Sequence, residues 1–350
     1  MHHSDENQAM PLISIIVPNY NHAAYLPERL QSILDQTYTH TELIILDDAS
    51  TDDSVQIIKT CLAGHPHKLM INNTNSGSTF AQWDRGIQES TGQYIWIAES
   101  DDVAAPTFLE SMLAKLEQES VAMAYCQSMA INEQSEITAC LKGWTDFISH
   151  QLWSRDFCMA GTYFAIHFMA LKNVIPNASA VVFKKSLYVS PYQLKPDHKL
   201  GGDMLLWVCM MHERSIAYVA SPLNHYRFHT ATVRKSRRYQ YLNECQSITT
   251  WILDHTKAWN YPQELTTLRE NLAELWFSIG LEPASLKNWY QYRKAYQLLW
   301  RLHRLELPMI LLRRIPKSVW RITLPFRLWW QLGTRSLVLK VTRKLRSGKS

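Results

Sequence analysis

An α/β fold with a mostly parallel central sheet flanked by helices, followed by a C-terminal helical region, is what the sequence predicts, and three observations carry the expectation. Between Leu12 and about Tyr125, short β-branched runs alternate with longer amphipathic ones, the pattern of successive βα units. After Arg237 strand candidates stop and only helical patterns remain. Hydrophobic residues make up 46% of the 350, enough for one large core rather than a solvated, coreless chain.

In order, strands are expected at LISIIV (12–17), ELIILD (42–47), KLMIN (68–72), YIWIA (94–98) and VAMAYC (121–126). A helix from Ala24 to Gln36 puts Leu26, Leu30, Ile33 and Leu34 on one face. Another follows Asp52, read as its N-cap ahead of Val55, Ile57 and Ile58. From Trp144 to His229 the pattern is mixed, with a strand at Ala178–Phe183, a short helix from Asp203 and a strand at Leu223–Phe228. Helices are expected at 238–257, 263–279 and 286–304. The expected organisation is a disordered tail (1–10), a main domain (11–235) with halves 11–126 and 127–235, a helical region (236–305) and a basic amphipathic tail (306–350).

Bulk properties exclude several classes. The six cysteines are widely spaced and form no C-x-x-C pair, which argues against a zinc site or a disulfide framework and fits free thiols in a reducing cytoplasm. MHHSDENQAM lacks the pattern of a signal peptide, and no run of about eighteen uncharged apolar residues predicts a spanning helix. From Leu307 onward there is no acidic residue, and Arg and Lys are interleaved with Trp320, Phe326, Trp329 and Trp330. That mixture suits a segment lying in an anionic lipid interface. No nucleic-acid module accompanies it, so nucleic acid is not an expected partner.

Ligands of open α/β sheets bind outside the carboxyl ends of the strands. There the sequence places PNYN (18–21) after the first strand, DDASTDD (47–53) after the second and ESDD (99–102) after the fourth. PNYN offers neither the Gly-rich turn of a dinucleotide fold nor a P-loop. A diphosphate at this rim would meet carboxylates, which a hard divalent cation such as Mg²⁺ or Mn²⁺ reconciles by bridging the two.

Taken in order, SIIVPNYNHAAYLPERLQSILDQTY, ELIILDDASTDDS, NSGSTFAQWDRGI, GQYIWIAESDD and GGDMLLW resemble a family 2 glycosyltransferase of the GT-A fold over roughly residues 12–230. The resemblance implies a nucleotide-sugar-binding half (11–126), an acceptor-binding half (127–235) and inverting transfer from a nucleotide diphosphate sugar, UDP- or dTDP-linked, to a hydroxyl of a glycan or lipid-linked acceptor. It further implies that Pro18, Tyr20 and Asn21 contact the nucleotide, that Asp48 with Asp47 beside it takes a base N–H, and that Asp101 contacts the ribose or supports the metal ligand. Asp102 would bind the metal, with Glu99 and His229 as further candidates, and Asp203 would be the general base. Asn177 and Ser179 face the acceptor or shape a turn. His225 and Arg227 share the ambiguity of His229 between ligand contact and structure. The sequence departs from the family pattern at Glu99, where Asp is usual, at Gly202, where Glu often precedes the base, and at Gln82 and Trp83, where Arg and Asn are common; Trp83 either stacks on the donor or packs in the core.

The expected role is synthesis of a cell-surface polysaccharide or lipopolysaccharide at the cytoplasmic face of the inner membrane. The alternatives are a non-catalytic glycan- or membrane-binding scaffold with the same fold, and a sugar-phosphate nucleotidyltransferase. The second should carry a Gly-rich, Arg-containing loop where PNYN stands.

Overall fold

A computed structural model describes residues 10–118, 120–146, 148–190, 198–229 and 238–256. Strand β1 (Ile13–Asn19) is buried at every position, as expected of a strand covered on both faces. It pairs in parallel with β2 (Thr41–Asp47) on one side and β4 (Tyr94–Ile97) on the other, and β2 pairs in parallel with β3 (Lys68–Ile71). Three helices connect these strands: α1 (Leu26–Leu34), α2 (Ser54–Cys61) and α3 (Thr79–Glu89). The first carries Pro27 in its first turn, where the missing N–H costs nothing.

Beyond β4 the sheet becomes mixed. The short β5 (Val103–Ala104), helix α4 (Phe108–Leu116), long β6 (Val121–Ile131), β7 (Ile137–Cys140), β8 (Phe157–Ala160), β9 (Val181–Lys184) and β10 (Ser215–Arg227) complete it. The order is β3-β2-β1-β4-β9-β6-β10-β5, with β7 added to β6 and β8 to β10. Strand β9 runs antiparallel between β4 and β6, whereas β6 and β10 are parallel. The expected run of parallel strands thus extends from β3 to β4, and antiparallel β9 joins it to the parallel pair β6 and β10.

Helix α5 (Gly202–Met211) buries nearly its whole surface. Helix α6 (Arg238–Thr256) packs on α5 and on the helical turns at 161–169, burying Ile248 and Ile252, with Thr249 Oγ1 donating to Ala170 O at 3.0 Å. It falls within the compact unit Met1–Leu272. The expected helices at 263–279 and 286–304, the basic tail and the first nine residues lie outside the described residues. Among the described residues no helix is long and apolar enough to cross a membrane.

Candidate active site

The ends of β1 and β2 are sewn together by side chains. Asp47 is buried and accepts from Asn19 Nδ2 at 2.8 Å, Ser50 N at 2.9 Å and Ser50 Oγ at 2.7 Å. Asn21 adopts a left-handed φ of 56°, which Asn tolerates better than most residues. Its N–H donates to Ser50 Oγ at 2.9 Å and its Oδ1 accepts from Thr51 N at 2.8 Å. Asp52, the expected cap, accepts from Ala23 N and Ser54 N, each at 3.0 Å. Pro18 is buried within β1, and Tyr20 is 45% exposed, leaving its ring open to a planar ligand.

Asp48 is more heavily engaged. It accepts from Asn72 Nδ2 at 2.6 Å, Ser76 N at 2.9 Å, Ser76 Oγ at 2.8 Å and Gln82 Nε2 at 2.9 Å. A base N–H reaching this carboxylate has to displace one of those donors. Gln82 and Trp83 are both buried on α3, Gln82 against Asp48 and Trp83 donating Nε1 to Glu99 Oε1 at 3.0 Å. Trp83 also meets the Phe80 ring edge-on at 5.0 Å, so of its two expected roles the structure supports core packing.

After β4, acidic residues and two buried arginines form one cluster. Arg29 of α1 is fully buried, with Nε donating to Glu99 O at 2.7 Å, Nη2 to Ser179 Oγ at 3.0 Å, and its guanidinium 5.2 Å from the Trp96 ring centre. Burial lowers its pKa to about 10. Arg227, closing β10, donates its N–H to Asp102 Oδ1 at 2.9 Å, Nε to Asp101 O at 2.7 Å and Nη2 to Glu28 Oε2 at 2.6 Å. These cations offset the repulsion that would otherwise make ESDD a poor end for a core strand. Even so, burial and then the neighbouring Asp101 charge push the Glu99 carboxyl up to about 8 and that of Asp102 to about 7.

Asp101 differs from both. Its Oδ2 lies 3.0 Å from His229 Nε2, and His22 stands alongside with Nδ1 2.8 Å from Ser100 Oγ. The two imidazoles meet edge-on with centres 5.7 Å apart. One ligand atom each from His22, Asp101 and His229 lies within 4.8 Å of the others. Burial works against the Asp101 charge, but the hydrogen bond from His229 and the nearby His22 hold its pKa below the ordinary value. That same hydrogen bond raises His229, while burial lowers His22. One carboxylate and two imidazoles form a donor set that fits a divalent cation, Mn²⁺ better than the oxygen-seeking Mg²⁺.

This arrangement corrects the expected division of labour. Asp102, expected to bind metal, is 1% exposed and turned toward the backbone of Arg227, whereas Asp101, expected at the ribose or in support of the metal ligand, faces the histidines. The two stand in the turn between β4 and β5, and the bond from Arg227 N turns Asp102 away from that group. Glu99 turns to Trp83 and stays out of the group, whereas His229 enters it. His225 lies back in β10, paired with Val103.

Asn177 and Ser179 are buried and structural, not open to an acceptor. Asn177 caps the turn 178–180 by accepting from Ala180 N at 3.0 Å, and Ser179 Oγ receives Arg29 and the Glu99 N–H at 3.1 Å. Asp203 opens α5, is 2% exposed, and accepts from Met204 N at 2.8 Å and Asn173 Nδ2 at 3.4 Å. The neighbouring Gly202 is imposed by packing, since a Cβ there would stand 2.6 Å from the Phe80 ring. His22 and Arg29 were the residues the sequence reading missed. His22 follows PNYN directly, and Arg29 falls between Leu26, Leu30 and Ile33 on the apolar face of α1. An arginine on such a face is a signal for a buried partner.

Residues 14–175 match the model of glycosyl transferase family 2. Over these residues the chain resembles a family 2 glycosyltransferase domain. This domain is 33% identical over 116 residues to the uncharacterized glycosyltransferase YibD of Escherichia coli, a match covering 33% of each chain. It is 31% identical over 150 residues to an Escherichia coli chondroitin synthase, covering 43% of this chain and 22% of that one. The chain therefore spans a third or less of the length of these two relatives. In fold it resembles the S. aureus TarS 1–349 crystal structure in complex with UDP-GlcNAc, with a TM-score of 0.60 and 16% identity over 85% of this chain and 86% of that one. The likeness supports the GT-A architecture expected from the sequence.

Proposed function

We propose that the protein is an inverting, metal-assisted glycosyltransferase that moves a sugar from a nucleotide diphosphate sugar to a hydroxyl of a glycan or lipid-linked acceptor. The observation that carries the reading is the convergence of His22, Asp101 and His229 at the carboxyl end of the sheet in a family 2 domain. Asp101 and the two imidazoles would hold the cation, with Ser100 orienting His22 through its Nδ1. When bound, a divalent cation supplies positive charge against the developing charge of the nucleoside diphosphate leaving group. Tyr20 offers its exposed ring to the base or ribose. Asp203 takes the proton of the attacking hydroxyl, and a single displacement inverts the anomeric centre without a sugar–enzyme intermediate.

The chondroitin synthase relative and the UDP-GlcNAc complex of the structural neighbour support a UDP-sugar donor and a role in cell-surface polysaccharide or lipopolysaccharide synthesis. The basic aromatic tail supports placement on the cytoplasmic face of the inner membrane, through anionic lipid. The deciding experiment is a hydrolysis and binding screen of UDP-, dTDP- and GDP-sugars with Mg²⁺ or Mn²⁺. Metal-dependent hydrolysis of one donor class is expected, and silence across all of them favours the scaffold. Removing residues 307–350 should release the protein from anionic vesicles; undiminished binding would refute the membrane placement.

A further inference from the structure

Glu244 stands on α6, outside every motif of the catalytic domain, yet its buried carboxylate is spent on the loop that leads to Asp203. Oε1 accepts from Lys199 N at 3.1 Å, and Oε2 from Leu200 N at 2.8 Å and Gly201 N at 2.7 Å. Gln240, one turn earlier on α6, adds Nε2 to Oε1 at 2.9 Å. Successive backbone N–H groups converging on one anion form a nest, and such charge-assisted bonds are roughly twice as strong as neutral ones. Because α5 starts at Gly202, the carboxylate also lies near the positive end of that helix.

One glycine in this loop is required by packing: a Cβ on Gly202 would stand 2.6 Å from the Phe80 ring, whereas one on Gly201 would make an ordinary contact with Glu244 Cβ at 3.4 Å. The loop is gripped between α6 on one side and Phe80 of α3 on the other, and Asp203 is the next residue. Docking of α6 alone is served by Ile248, Ile252 and the Thr249 bond, none of which needs a buried anion. We infer that Glu244 is the positioning residue for Asp203, fixing the backbone of 199–202 so that the carboxylate keeps its aim at the attacking hydroxyl. The inference rests on the reading of Asp203 as general base. It makes α6 part of the catalytic apparatus and gives whatever acts on that helix a mechanical route to the base.

The test uses the full chain with Glu244→Ala and the isosteric Glu244→Gln. Three quantities are measured: amide hydrogen exchange at residues 199–201, the Kd for UDP with Mn²⁺, and kcat and KM for hydrolysis of UDP-glucose, UDP-galactose, UDP-GlcNAc and UDP-GalNAc. Exchange should rise at least about tenfold, and kcat should fall about tenfold or more, since small misplacements of a catalytic group cost up to roughly a hundredfold. The Kd for UDP should stay within about twofold, because Glu244 touches no donor-side strand end. A folded Glu244→Gln protein with parental kcat, or with parental exchange, overturns the inference. Failure of Glu244→Gln to fold also overturns it, by assigning the residue to stability; if only Glu244→Ala fails to fold, Glu244→Gln decides. Asp203→Asn separates the two readings. Parental kcat in that variant, or no turnover of the panel by the parent, removes the base and the inference with it. An inactive Asp203→Asn beside a fully active Glu244→Gln removes the positioning role alone.

Discussion

Two pairs of adjacent aspartates stand at or beyond the ends of two parallel strands of the same sheet, and they have opposite fates. Asp47 and Asp48 both turn inward and spend their oxygens on the loops around them, from Asn19 and Ser50 to Asn72, Ser76 and Gln82. Asp101 and Asp102 divide. Asp102 goes to the Arg227 backbone, while Asp101 is left facing two imidazoles. The difference lies in the neighbours. Hydroxyl and amide donors crowd the first pair, whereas the second has two buried guanidinium groups behind it and histidines in front. A carboxylate becomes available to a cation only where the structure has satisfied its neighbours by other means.

The contrast can be attacked from either side, starting with the counter-charges. Replacing Arg29 by Met leaves Glu99, Asp101 and Asp102 with one buried cation instead of two and should destabilise the fold by about 3–5 kcal/mol in urea titrations. Asp101→Asn should weaken Mn²⁺-dependent UDP binding about a hundredfold, or about 2.8 kcal/mol at about 1.4 kcal/mol per decade, with little change in stability. Asp48→Asn should do the reverse: a loss of about 1–3 kcal/mol of stability, as donors in the 72–76 loop lose their anion, with Mn²⁺ affinity in calorimetry nearly unchanged. Ser50→Ala, which removes one hydroxyl from the Asp47 knot, should cost about 0.5–1.5 kcal/mol. If Asp101→Asn and Asp48→Asn gave the same profile, the two pairs would not differ as described.

Much of this was legible in the chain itself. The run from Ile13 to Asp47 declares two buried strands and an amphipathic helix, and the three polar strand ends announce the rim. Which of Asp101 and Asp102 faces the histidines was not legible. The bond that turns Asp102 away comes from Arg227, far along the chain. Asn177 and Ser179 allow two readings in the sequence, an acceptor contact or a turn, because small polar residues beside a strand serve both; the buried guanidinium that claims Ser179 comes from α1. Glu244 was invisible for the same reason, since its partners are backbone N–H groups and leave no trace in side-chain pattern.

Strand β10 sets how much length variation the site can tolerate. Its pairing with β6 slips between Val219 and Asn224, then runs unbroken from Asn224 opposite Ser128 to Arg227 opposite Ile131, with Phe228 N still bonded to Ile131 O at 2.8 Å. A residue inserted near Ala220 falls where the ladder is already irregular and can be absorbed as a wider bulge. The same insertion between Asn224 and His229 would advance the histidine by about 3.3 Å and turn it to the opposite face of the sheet. Natural or engineered changes of length are therefore expected on the near side of Asn224, with the last five positions before the imidazole held to a fixed count.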